Sequence, residues 1–76
     1  MKKEQKDLLK KIVSLHIASF QLQMKDRWAR EDYILDSQMS KEIEELENDY
    51  VYKYGNMPEM KNIEDIYKIN EELKEE

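Results

Sequence analysis

Cysteine is absent, and glycine, proline and histidine each occur once. The missing cysteines remove disulfides and thiolate metal sites together, and His16 alone cannot build a histidine cluster for zinc. No stretch approaches the ~20 apolar residues of a membrane span. The opening "MKKEQKDLLKKIVSLHIASF" has the lysines and apolar run of a signal peptide, but Ser14, His16 and Ser19 interrupt it and no small-residue cleavage site follows. These absences lead to the expectation of a cytoplasmic protein without cofactor or metal. The 76 residues make one domain, and a monomer of this size buries only roughly 60% of its unfolded surface. Without disulfides or metal, the natural source of extra stability is another protein chain.

Charge is abundant and uneven. Charged residues make up 41% of the chain, while hydrophobic residues still reach 39%, a combination that suits two-faced helices better than disorder. Residues 1–30 hold eight Lys or Arg against three acids, and residues 31–76 hold five Lys against fifteen acids. An acidic surface repels nucleic acid and membrane headgroups and attracts basic protein surfaces. The basic first part is expected to pair with the acidic remainder.

The periodicity predicts an all-α bundle of about three helices. From Lys3 to about Arg30 there is no Gly or Pro, and apolar residues form two stripes: Leu8, Ile12, Leu15 and Leu22, and Val13, Ile17, Phe20, Met24 and Trp28. The stripes merge between Ile12 and Met24. An arc that wide predicts a central helix with neighbours on two sides, and its surplus suggests completion by self-association. Asp36, Ser37 and Ser40 prefer helix N-caps and favour a break near 36–40, the alternative being one helix that runs past it on the 3-to-4 rhythm of Trp28, Leu35, Met39, Leu46 and Tyr50. A second helix then ends near Tyr54, because Ile43, Leu46, Tyr50 and Tyr54 are spaced 3, 4 and 4. Tyr50 and Tyr54 should face the core, with Val51 at its edge and Tyr52 pointing away. Gly55 suits the left-handed residue at a helix end, and Pro58 the first turn of the next helix. A shorter third helix carries Ile63, Ile66, Tyr67, Ile69 and Leu73, with Asn62 as a cap. The tail from about residue 73 should fray, since its acids oppose the helix dipole.

Few side chains suggest chemistry. His16 lies among apolar neighbours with no identifiable nucleophile or orienting acid, so a core or interface histidine bonded to a backbone or side-chain acceptor is the expectation. Glu42, Glu45 and Asp49 recur at helical spacing, but without a Glu-x-x-His pattern they read as a solvated acidic face that a partner could recognise. Lys3, Lys6 and Lys10 form a basic strip, and Lys25, Arg27 and Arg30 surround Trp28, which admits phosphate contacts plus stacking. Phe20, Trp28, Tyr33 and Tyr52 belong to the residue types that anchor interfaces. The sequence therefore points to a small non-enzymatic protein-binding module, an inhibitor or regulator whose low Ala and Gly suit a bacterial or phage genome, acting through Phe20, Trp28, Tyr33, Tyr52, Glu42, Glu45 and Asp49. A self-assembling helical protein and a nucleic-acid binder using the basic first helix are the alternatives.

Overall fold

Three helices account for the regular structure of residues 2–75, which the computed structural model describes. Helix α1 spans Lys3–Gln23, α2 spans Arg30–Tyr54 and α3 spans Ile63–Glu75, with no strand among the described residues. Helix α1 packs against both α2 and α3, which do not approach each other closely. This is the central helix that the wide apolar arc predicts.

The core forms where α1 meets both neighbours. Leu9, Ile12 and Val13 of α1, Tyr50 of α2, and Ile66, Ile69 and Leu73 of α3 are buried together. Leu8, Ile17, Phe20, Leu46 and Tyr54 pack around them, as do Met57 and Met60 from the connection after α2. Full burial of such aliphatic side chains stabilises by about 1.5–3 kcal/mol each. The apolar surplus of α1 is thus largely covered within the chain: Phe20 is half-buried against the core, and Met24 is the exposed member of its stripe. Beyond this core, α1 and α2 continue as a two-helix hairpin, with Met39 and Ile43 buried on the side of α2 turned to α1. The molecule is elongated, 39 × 23 × 18 Å, its long axis close to the ~37 Å expected of the 25 residues of α2.

Helix boundaries depart from the sequence expectation at two places. The first helix ends at Gln23, short of Arg30, and α2 runs without a break through residues 36–40. The reason lies in side chains that finish both helices across residues 24–29. The indole Nε1–H of Trp28 donates to the Leu22 carbonyl at 3.0 Å, and the Lys25 backbone N–H donates to the same oxygen at 3.1 Å. At the start of α2, the Asp32 carboxylate accepts from the Ala29 backbone N–H at 2.8 Å, while the Asp32 N–H donates to the Ala29 carbonyl at 3.0 Å. This is a capping box in which a backbone carbonyl replaces the usual side-chain acceptor. Asp36, Ser37 and Ser40 cap nothing, because a break there would pull Met39 and Ile43 off α1.

The tyrosines divide as the spacing predicts. Tyr50 is 2% exposed, Tyr54 packs against the core with its ring 5.3 Å from that of Tyr50, and Tyr52 is 90% exposed. Gln5 Nε2 donates to the Tyr50 hydroxyl at 3.0 Å, tying the start of α1 to the end of α2. Gly55 takes φ 91° and ψ −138°. Its positive φ fits the expectation, but its ψ lies outside the left-handed helical region, in territory that essentially only glycine enters. Pro58 falls within the connection rather than in the first turn of α3. Asn62 caps α3 instead: its Oδ1 accepts from the Asp65 N–H at 3.0 Å. Helix α3 extends to Glu75 with Leu73 buried, and the last residue of the expected fraying tail, Glu76, lies outside the described residues.

Candidate functional site

The anchor and acidic residues expected from the sequence fall into separate places on the molecule. At the hairpin tip, Trp28 and Tyr33 meet edge to face with ring centroids 5.0 Å apart. The contact follows from the Trp28 cap on α1, which lays the indole over the first turn of α2. Lys25 Nζ lies 2.8 Å from Asp32 Oδ2 in the same corner. The hydrogen bond from Lys25, and with it that from the Ala29 N–H, holds the Asp32 carboxyl below its usual range. Arg27 and Arg30 are exposed and have no ion pair among the described residues.

Glu42, Glu45, Asp49 and Tyr52 follow one another at spacings of 3, 4 and 3, so they form a single stripe along α2. Glu42, Glu45 and Tyr52 are exposed, and Asp49 is half-buried with Lys53 Nζ 3.2 Å from its Oδ2. Val51 is exposed too, but it lies about a quarter turn or more away from every member of the stripe. Tyr33 stands 19 positions before Tyr52, about 28 Å along the helix. The tip aromatics and the acidic stripe are therefore two surfaces rather than one site, and Phe20 belongs to neither.

Between α1 and α2 runs an open groove of about 400 Å³, lined by His16, Ser19, Ser40, Ile43, Glu44, Glu47 and Asn48. His16 Nε2 donates to Glu47 Oε1 at 3.2 Å, a side-chain acceptor supplied by α2. No hydrogen bond links either serine hydroxyl to the ring among the described residues. No group of three or more His, Asp or Glu could hold a metal ion among those residues. Sequence reasoning singled out His16 but missed the groove around it, because its other polar residues carry no pattern until α2 is folded back on α1.

The charges also depart from expectation. Among the described residues, the ion pair Lys25–Asp32 and the hydrogen bond His16–Glu47 join charged or titratable groups of the basic first part to the acidic remainder; the ion pairs Lys53–Asp49, Lys61–Glu59 and Lys74–Glu71 are local to the acidic part. Lys3, Lys6 and Lys10 have no acidic partner among the described residues. Lys3 and Lys10 are exposed and Lys6 is half-buried, so the strip borders the packed face of α1. No helix is long and apolar enough to cross a membrane among the described residues. No family model matches the chain, and comparison with curated proteins and with solved structures found no match.

Proposed function

We propose that the chain is a non-enzymatic protein-binding module whose contact surface is the outer face of α2, where Tyr52 is presented beside Glu42, Glu45 and Asp49. One observation carries the reading: Tyr52 is 90% exposed on a regular helix, with no hydrogen bond or aromatic partner among the described residues. A tyrosine offers a large apolar ring and a hydrogen-bonding tip at low entropic cost, and the carboxylates beside it favour a basic counterpart. A module of this kind acts as a regulator or inhibitor by covering a basic surface of its partner.

Titration calorimetry with a Lys- and Arg-rich helical peptide tests the reading. Binding should weaken with salt, fall at least about tenfold when Glu45 and Asp49 are both changed to Lys, and fall again with Tyr52→Ala. Binding that ignores all three substitutions would remove the proposal. Duplex DNA serves as the rival probe: salt-sensitive binding lost on changing Lys3, Lys6 and Lys10 to Glu would favour the unpaired strip on α1 instead.

A further inference from the structure

Ile34, Gln38, Lys41, Glu45, Asn48 and Tyr52 follow one another along the outer face of α2 at spacings of 4, 3, 4, 3 and 4, with Asn48 at the rim of the groove shared with α1. That alternation has the spacing of a coiled-coil seam, here carried by four polar residues between an isoleucine and a tyrosine, and over 18 residues it returns to the same direction after five turns. All six residues are exposed, and none makes a side-chain hydrogen bond or ion pair among the described residues. The spacing reads the same in both directions. An antiparallel second copy therefore sets Ile34 against Tyr52, Gln38 against Asn48 and Lys41 against Glu45, each contact occurring twice about a two-fold axis. Every layer is matched: apolar with aromatic, amide with amide, cation with anion. Parallel pairing would instead oppose Lys41 to Lys41 and Glu45 to Glu45, so charge selects the antiparallel arrangement.

We propose that the outer face of α2 docks a second copy of this chain, antiparallel and two-fold symmetric, through these six positions. The proposal rests on reading this face as a contact surface and names its first occupant. Two features keep the association weak. Only Ile34 and Tyr52 contribute apolar area to the seam, and Glu42 and Glu44 border its centre, where each approaches its own copy. An external basic partner would compete for Glu45 and Tyr52 and so return the pair to monomers.

Sedimentation equilibrium up to several hundred micromolar, with helicity followed by circular dichroism, provides the test. The mass should rise from 9.3 kDa towards twice that value. Lys41→Glu and Glu45→Lys should each weaken pairing by about tenfold or more, and the double reversal should restore it. Geometry is read separately by mixing Gln38→Cys and Asn48→Cys chains under mild oxidation. The antiparallel seam yields crosslinks between unlike chains, whereas a parallel seam would join like chains. A monomer at every concentration, a dimer indifferent to the charge reversals, or crosslinks between like chains would each overturn the proposal. A chain that stays monomeric yet binds the basic peptide through Tyr52 would overturn self-docking while leaving the proposed function standing.

Discussion

Tyr50 and Tyr52 are two positions apart on α2, yet the fold gives them opposite environments. Tyr50→Ala would open a cavity in the buried cluster it shares with Leu9, Ile12 and Val13 and strand the Gln5 amide, so urea unfolding should register a loss of roughly 2–4 kcal/mol. Tyr52→Ala should stay within about 0.5 kcal/mol, as exposed substitutions generally do. Equal losses at both positions would contradict the helical placement. Gly55 offers a sharper case, because a β-carbon built there meets no atom within 4 Å. The cost of Gly55→Ala is then conformational alone, about 1–3 kcal/mol for holding a side-chain-bearing residue at that backbone position. A loss within experimental error in the same urea assay would mean that the turn rearranges. These residues were legible in the sequence because helical spacing and the single glycine are local signals; the ψ of Gly55 was not, because the path from α2 to α3 is set by where Met57 and Met60 find the core.

At the scale of the helix, the connection between α1 and α2 holds the least legible feature of the chain. It contains neither Gly nor Pro, and its ends are made by Trp28, Lys25 and Asp32, residues that become caps only once the hairpin has closed. The break expected at 36–40 rested on intrinsic capping preference, which amounts to about 1 kcal/mol and yields to the burial of Met39 and Ile43. Asp32 links this corner to pH. Its folded-state pKa lies below the ordinary 3.8, so its contribution is fully present above that value and is lost as pH falls below it and through the lowered folded value. Carboxyl-carbon NMR should place the Asp32 midpoint under 3.8, and Lys25→Gln should move it up towards that value. A midpoint unchanged by Lys25→Gln would show that the salt bridge does not form in solution. The acidic stripe was legible as a helical repeat, whereas the seam from Ile34 to Tyr52 was not, because four of its six members are polar and a search for apolar periodicity passes over them.

Across the whole molecule, α1 is the single element that touches both others. The width of its apolar arc made that role legible; the pattern of ion pairs was not, since surface pairs are worth little and do not steer the fold. Ile66→Ala tests the arrangement. It should cost about 2–5 kcal/mol in urea unfolding, because Ile66 is fully buried on α3 and lies in the cluster with Leu9, Ile12 and Val13. A loss near zero would mean that α3 is not docked as described. The hub arrangement also sets an order of events during synthesis. Of the three helices α1 is made first, and its core side is completed only by those that follow; the six-residue connection lets the α1–α2 hairpin close through local contacts. Helix α3, whose only helix neighbour among the described residues is α1, docks last, so a nascent chain that stops at residue 62 carries Leu9, Ile12 and Val13 without Ile66, Ile69 and Leu73 over them and is the form most exposed to chaperones and proteases.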